Sequence, residues 1–160
     1  DIVALPVCPS RVFRHAAIYV RPGAGIRSPK DLEGRRVGIP EWAQTAGIYA
    51  RGLLQHEYGV DLSSIAWFQA GVREPGRAEK VKLHLPAGIR ITPVPGNSLA
   101  QMLAGGELDA VISARDPGGV RLFQNYPEAE EAYFRKTRIY PIMHIIVLRR
   151  AVYERDRTSF

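Results

Sequence analysis

The feature that most constrains the fold is an apolar strand followed closely by an amphipathic helix. RRVGIP, residues 35–40, predicts a buried strand, and QTAGIYARGLLQHEYG, residues 44–59, places apolar side chains at helical spacing. The same alternation runs along the chain. It predicts strands near 2–7, 16–21, 65–69, 89–95, 110–115 and 141–150, helices at 97–109 and 127–137, and a helical turn at 28–34. Strands that alternate with helices indicate the α/β class.

The segment 72–88 predicts a loop rich in charge, Gly and Pro that ends in a short alternating stretch. In KVKLHL, residues 80–85, the three apolar side chains would share one face, as in a half-buried strand. The loop before it, REPGRAEK, contributes five charged side chains at 73–80. Charged loops of this kind are usually only solvated. The loop 73–80 is therefore either a hydrated surface segment or one wall of a ligand site.

Composition limits the classes of function. The chain has 160 residues, is 46% hydrophobic and 24% charged, and carries a net charge of +6, which suits one folded domain. The basic residues are scattered and no nucleic-acid motif is present, which argues against a nucleic-acid partner. A single cysteine allows no internal disulfide, and no apolar run is long enough to predict a membrane-spanning helix.

SRVFRHAAIYVR, residues 10–21, indicates an anion site. Arg11, Arg14 and His15 stand directly before the apolar run 16–20. A positive charge beside a buried strand is costly unless an anion meets it, and arginine binds carboxylates through two parallel hydrogen bonds. In the alternative interpretation these residues have no functional role: the two arginines lie on the surface, and the histidine is a hydrogen-bonded structural residue.

The turn between the strand at 35–40 and the next helix is a second candidate. A helix that follows a strand presents unpaired N–H groups at its start, and ligands of open α/β sheets bind at the carboxyl ends of strands. Glu41, Trp42 and Thr45 lie there. Glu41 and Thr45 would equally serve as helix caps, and Trp42 would either stack on an aromatic ligand or pack in the core.

Longer motifs resemble a known family. DLEGRRVGIP and LAGGELDAVI resemble segments of the type 2 periplasmic-binding-protein fold. PSRVFRHAAIYVR, GVREPGRAEKVKLHLPAGI, ISARDP and EEAYFRKTRIYPIMHIIVLRRAVYER resemble the 4,5-dihydroxyphthalate decarboxylase family, whose chains are about twice this length. The resemblance implies a mixed sheet flanked by helices. It assigns 1–15 to the end of a first lobe and a crossover, 16–143 to a second α/β lobe, and 144–160 to a return crossover.

The resemblance also implies an activity. We expect a cytoplasmic carbon–carbon lyase of aromatic catabolism, in phthalate degradation, that releases carbon dioxide from 4,5-dihydroxyphthalate or a related diacid and leaves protocatechuate. The expected partner is a small aromatic dicarboxylate, with neither nucleic acid nor membrane, and the oligomeric state is left open. No cofactor is expected; a divalent metal on the two hydroxyls is left open, although no ligand spacing indicates one.

Within this expectation the candidate residues take two roles. Proton transfer falls to His15 and His144, with Glu41 or Glu74, because imidazole titrates near neutral pH. If the two crossover strands lie side by side, both imidazoles would face one cleft. Substrate binding falls to the remaining candidates: Arg11, Arg14, Trp42, Thr45, Arg73, Ser113 and Arg115.

Two other functions fit the same residues. A non-catalytic solute-binding protein of an ABC importer, for an anionic aromatic or small acid, would explain the fold and the arginines equally well, but it would not need two histidines and a glutamate. An enzyme of different chemistry on the same scaffold is the third interpretation.

Overall fold

The computed structural model describes residues 1–159, and these divide into two compact units. The larger unit is Arg14–Ala132, and the smaller combines Asp1–Phe13 with the segment from Tyr133 onward. Ten strands and four α-helices are formed in these residues. They are β1 (Ile2–Ala4), β2 (Ser10–Arg11), β3 (Ile18–Val20), β4 (Arg36–Ile39), α1 (Thr45–His56), β5 (Ala66–Gly71), β6 (Ile91–Ser98), α2 (Leu99–Ala104), β7 (Ala110–Ile112), β8 (Val120–Arg121), α3 (Tyr126–Thr137), β9 (Ile142–His144), β10 (Val147–Arg149) and α4 (Arg150–Arg155).

The larger unit is built on a six-stranded mixed sheet in the order β6-β5-β4-β7-β3-β8. β6, β5, β4 and β7 are mutually parallel, whereas β3 pairs antiparallel with β7 and β8. The predicted α/β class is therefore confirmed, with a mixed sheet flanked by helices. β6 contains two prolines and lies at the sheet edge, where a missing N–H costs no ladder bond.

Alternate residues of the central strands feed two apolar layers. Val37, Ile39 and Trp67 pack with Leu54 of α1 on one face of the sheet. Ala70 and Val111 pack with three residues of α2, which are Leu99, Met102 and Leu103. The period of two in a strand sends neighbours to opposite faces, so each strand serves both layers. Helices on both faces leave the strand ends as the open edges of this unit.

The smaller unit contains two short antiparallel strand pairs, the helix α4 and an aromatic cluster. β1 pairs with β10, and β2 pairs with β9, with Ser10 opposite His144. Phe13 stacks on Tyr140, with ring centroids 4.8 Å apart, and meets the edges of Tyr133 and Phe134.

Several predicted elements were wrong in extent. The strand predicted at 2–7 ends at Ala4, and the one at 16–21 is a 3-10 turn, His15–Ala17, followed by β3. The single long strand predicted at 141–150 is two short strands, β9 and β10, and α4 follows it. The helix predicted at 97–109 is shorter, Leu99–Ala104, and Ser98, directly before it, accepts a hydrogen bond from the Gln101 N–H.

The strand predicted at 80–85 does not form. Residues 81–90 have no regular secondary structure, and Val81 is 56% exposed. Apolar alternation produces a strand only where a neighbouring strand pairs with it and a core covers one face. Among residues 1–159, no helix is long and apolar enough to cross a membrane.

Candidate functional site

The candidate site lies at the carboxyl ends of three adjacent parallel strands. β4 leads into Glu41, β5 leads into the segment 71–80, and β7 leads into Arg115. The three strands are neighbours in the order β5-β4-β7 and run in the same direction, so these segments meet at one edge of the larger unit. Ligands of open α/β sheets bind at such an edge.

A cavity of about 840 Å³ opens there. Its lining carries four cationic and three acidic side chains, together with backbone of the β5 loop: Glu41, Gly71, Val72, Arg73, Glu74, Pro75, Gly76, Arg77, Ala78, Lys80, Arg115 and Asp116. The volume is within the usual range for small-molecule pockets. Four of the residues predicted from the sequence, Glu41, Arg73, Glu74 and Arg115, are brought together in this lining.

The centre of the lining is an ion pair between Glu41 and Arg77. Arg77 Nε donates to Glu41 Oε1 at 2.6 Å, and Nη2 lies 2.5 Å from the same oxygen. Glu41 is 6% exposed, whereas the Arg77 side chain is one-third exposed, and Lys80 Nζ lies 4.0 Å from the Glu41 carboxylate. The buried carboxylate thus holds a guanidinium whose outer part remains available at the cavity wall.

The loop after β5 folds back tightly on the end of its strand. A Cβ atom added to Gly71 would lie 1.8 Å from the Glu74 carbonyl oxygen, so only glycine allows this approach. Gly76 has a positive φ of 85°, which glycine adopts without strain. These two glycines give the loop the sharp path that places Glu74 and Arg77 in the cavity lining.

A smaller compartment of about 110 Å³ shares Val72, Arg77 and Arg115 with the main cavity. Ser113, at the end of β7, lines this compartment, and its Oγ accepts the Arg115 N–H at 3.0 Å. The Ser113 hydroxyl proton is therefore free to point elsewhere. Arg73 is tied to the β7 end as well, since Nε and Nη2 donate to the Asp116 carbonyl at 3.3 and 3.2 Å.

Trp42 packs against side chains of the larger unit, and its predicted ligand-stacking role stays a prediction. Its ring meets the edge of Trp67 at 5.3 Å between centroids, and the Arg51 guanidinium lies 3.6 Å from its ring centroid. Trp42 is not among the residues that line the main cavity. Thr45 is exposed at the first position of α1, and its binding role stays a prediction.

His15 is buried, whereas the sequence predicts an imidazole that faces a cleft. It is 1% exposed in the larger unit, where the rings of Phe123 and Tyr58 meet it edge-on at 5.0 and 6.2 Å. Burial lowers the pKa of His15 to about 4, and the nearby Glu57 offsets only part of this change. The imidazole is therefore neutral at neutral pH. Its proton-transfer role stays a prediction.

Arg11 and His144 belong to the smaller unit, where both are exposed on the paired strands β2 and β9. Arg14 belongs to the larger unit and is half-buried; burial lowers its pKa, and Glu130 acts in the opposite direction. None of these three lines the main cavity. Their predicted roles, and the pairing of His15 with His144, stay predictions.

Sequence reasoning did not select Arg77, Lys80 or Asp116, which also line the cavity. The signal was present in REPGRAEK, where charge is dense and glycine and proline bend the chain. Within residues 1–159, no group of three or more His, Cys, Asp or Glu side chains is arranged to hold a metal ion.

The sheet and the cationic cavity at its strand ends define an α/β domain with a candidate site for a small molecule. Comparison with curated proteins shows which family this domain is similar to. The chain is 39% identical over 161 residues to the 4,5-dihydroxyphthalate decarboxylase of Comamonas testosteroni, covering 95% of this chain and 49% of the relative. It is 42% identical over 132 residues to the protein of the same name from Pseudomonas putida, covering 82% and 50%. No family model matches.

The chain therefore belongs to the 4,5-dihydroxyphthalate decarboxylase family. It spans about half the length of the curated relatives it matches.

Proposed function

We propose that the protein is a carbon–carbon lyase that decarboxylates 4,5-dihydroxyphthalate, or a closely related hydroxylated aromatic diacid, to protocatechuate. The observation that carries the proposal is the 39% identity to a curated decarboxylase of that name along 95% of the chain. The cavity supports it independently, because arginine-rich walls at the carboxyl ends of parallel strands suit a small dianion.

The chemistry needs an anchored carboxylate and a proton donor. A hydroxyl para to the departing carboxylate gives up its proton and pushes electrons into the ring, and an acid protonates the ring carbon that bears that carboxylate. The carbon–carbon bond then breaks, its electron pair restores the aromatic ring, and the phenol oxygen recovers a proton. One proton thus replaces one carbon dioxide, and no organic cofactor is required.

The lining residues divide between these tasks. In this proposal Arg115 and Arg77 hold the remaining carboxylate, with Ser113 donating its hydroxyl proton, because the three surround the small compartment. Arg73 adds positive charge at the rim. Glu74 is the proton donor, because it is an exposed carboxyl group in the lining that no arginine pairs with in the described chain. Glu41 orients Arg77.

We also propose the type 2 periplasmic-binding-protein fold for this family member, with the larger unit as its second lobe and the paired terminal segments as the crossover. The motifs DLEGRRVGIP and LAGGELDAVI support this interpretation, since they span β4 and the α2–β7 connection of the sheet. We propose that the enzyme acts in the cytoplasm on its small aromatic partner.

The test is to incubate the full-length protein with 4,5-dihydroxyphthalate and follow carbon dioxide and protocatechuate. We expect equal amounts of both products. Phthalate is the matched control: it keeps both carboxylates but has no para hydroxyl, so it should bind and release no carbon dioxide. Binding of both diacids without release would overturn the proposal in favour of a solute-binding protein.

The proton donor is tested in the same assay. Glu74→Gln should lower kcat by about 10²–10⁴-fold, the range usual for a lost acid–base group. His15→Ala and His144→Ala are measured alongside, because the sequence predicts proton transfer for both. A variant that stays within about threefold of the unsubstituted enzyme removes its residue from that role.

A further inference from the structure

We propose that Glu79 and Arg51 are positioning residues that fix the turn 40–44 and thereby hold Glu41 and Arg77 in their places at the cavity. This inference rests on the proposed function only where catalysis is the readout. Neither residue lines the main cavity or its smaller compartment. Both act through the backbone of the turn that carries Glu41.

Glu79 holds the turn from the side of the β5 loop. Its Oε2 accepts the Trp42 N–H at 2.7 Å, and its Oε1 accepts the Ala43 N–H at 3.2 Å. These N–H groups lie just before α1. The Glu79 carboxylate therefore accepts the hydrogen bonds that the turn 40–44 would otherwise offer to solvent or to a ligand. Hydrogen bonds from N–H groups to a charged acceptor are stronger than neutral ones. Glu79 also lies two residues after Arg77 in the same loop, so one contact fixes both partners of the ion pair.

Gln69 joins this contact to the sheet. Its Nε2 donates to the Pro40 carbonyl at 3.3 Å and lies 3.4 Å from Glu79 Oε2. Gln69 is a buried residue of β5, and Pro40 directly follows β4. The turn, the loop and two neighbouring strands are therefore connected by one short chain of hydrogen bonds.

Arg51 holds the turn from the side of α1. Its Nη2 donates to the Trp42 carbonyl at 2.7 Å, and its guanidinium stacks on the Trp42 ring. Burial lowers the pKa of Arg51 to about 10, so the side chain stays charged at neutral pH. A Cβ atom on Gly47 would lie 3.0 Å from Arg51 Nη1, so the glycine one turn earlier leaves room for the guanidinium.

Trp42 is thus bonded through its N–H to Glu79 and through its carbonyl to Arg51. Glu41 precedes it by one residue, and small displacements of binding groups cost large factors in rate. A buried arginine and a carboxylate that do not reach the cavity are explained by this function. If Glu79 and Arg51 were only solvated surface charges, they would not both bind the peptide group between Trp42 and Ala43.

The test is a double-mutant cycle with 4,5-dihydroxyphthalate as substrate. Glu79→Ala should raise KM about tenfold and leave kcat within about threefold, because a displaced Arg77 weakens ground-state and transition-state binding alike. Arg51→Met should act in the same direction. Glu79→Gln keeps one acceptor oxygen and should recover part of the loss. Glu128→Ala, at an exposed site on α3, is the matched control and should leave KM unchanged.

The coupling distinguishes positioning from general loss of structure. In an Arg77→Ala background, Glu79→Ala should change KM less than twofold further, since its route of action is already gone. Another tenfold loss there, or an unchanged KM in Glu79→Ala alone, would overturn the inference.

A binding measurement separates this inference from the proposed function. Calorimetric titration with phthalate requires no turnover, and Glu79→Ala and Arg51→Met should each weaken its Kd about tenfold. If the unsubstituted protein releases no carbon dioxide but these shifts appear, the proposed function fails and the positioning role stands. If it is active and the Kd values do not shift, the positioning role fails.

Discussion

The larger unit holds two clusters of arginine and carboxylate, one at each end of the same parallel strands. At the amino ends, Asp109 accepts hydrogen bonds from the Arg36 side chain and backbone N–H, and Arg21 Nη2 lies 3.4 Å away. At the carboxyl ends, Glu41 pairs with Arg77 beside a cavity of about 840 Å³. The residue types match, but the surroundings differ.

The difference lies in what remains for a ligand. Both oxygens of Asp109 are occupied, and hydrogen bonds from Arg36 lower its pKa to about 2. At the other end the arginines face a cavity, and the loop 71–80 forms its wall. A closed cluster stabilises the sheet, whereas an open one can exchange a protein contact for a ligand. The surroundings, rather than the residue types, therefore indicate which cluster has a function.

The largest effect should come from Gly71→Ala, which breaks only the carboxyl-end cluster. The new Cβ would collide with the Glu74 carbonyl, which is backbone and cannot rotate away. The loop must shift, so kcat/KM should fall at least about 100-fold, as misplaced binding groups do. Gly52→Ala in α1 meets nothing within 4 Å and is the matched control; it should stabilise the protein by up to about 1 kcal/mol. Equal activity in both variants would contradict the assignment of the site.

The next effect should come from Asp109→Ala, which breaks only the amino-end cluster. We expect the free energy of unfolding in urea to fall by about 3 kcal/mol, because two arginines and one N–H lose a buried acceptor. KM for the folded enzyme should not change. Glu128→Ala, at an exposed position, should stay within about 0.5 kcal/mol of the unsubstituted protein. A raised KM in Asp109→Ala would show that the two clusters are not separate.

A smaller effect is expected when the pH falls. His15 and Asp109 should lose their contributions to the free energy of unfolding at different pH values. The pKa of His15 is about 4 in the folded protein and about 6.5 in the unfolded chain. As the pH falls, the unfolded chain therefore takes up the proton first. The contribution of neutral His15 to the free energy of unfolding is complete above about pH 6.5 and is lost as the pH falls towards 4. The loss between pH 7 and 5 should be about 2 kcal/mol. Asp109, with its pKa of about 2, loses its contribution only below about pH 4.

The measurement is urea unfolding of the unsubstituted protein and of His15→Gln at pH 7 and 5. The variant should lose about 2 kcal/mol less between the two values, since glutamine does not titrate. An identical loss in both proteins would show that His15 does not cause the acid sensitivity.

The part of the fold that sequence predicts well is the part governed by local periodicity. The β4–α1 unit and the helix α2 follow from patterns within about 20 residues. The strand expected at 80–85 shows the limit. Its alternation is correct for a strand, but pairing requires a free sheet edge, and β6 occupies the edge next to β5.

The candidate site shows the same division. Glu41 and Arg115 could be predicted because each follows an apolar strand, and strand ends meet at one edge. Glu74 is predicted only through the family resemblance of its charged loop. The burial of His15 could not, because Tyr58 and Phe123 come from distant parts of the chain. Nor could the role of Glu79, whose partners in the turn are more than 30 residues away.

The central claim is that the open, carboxyl-end cluster binds the diacid that the enzyme decarboxylates. The most direct measurement is release of labelled carbon dioxide from carboxyl-labelled 4,5-dihydroxyphthalate by the unsubstituted protein, Arg115→Met and Arg21→Met. We predict release by the unsubstituted protein, a loss of at least about 100-fold in kcat/KM for Arg115→Met, and near-normal release by Arg21→Met, whose arginine belongs to the closed cluster. Absence of release by the unsubstituted protein, or equal losses in the two variants, would contradict the account.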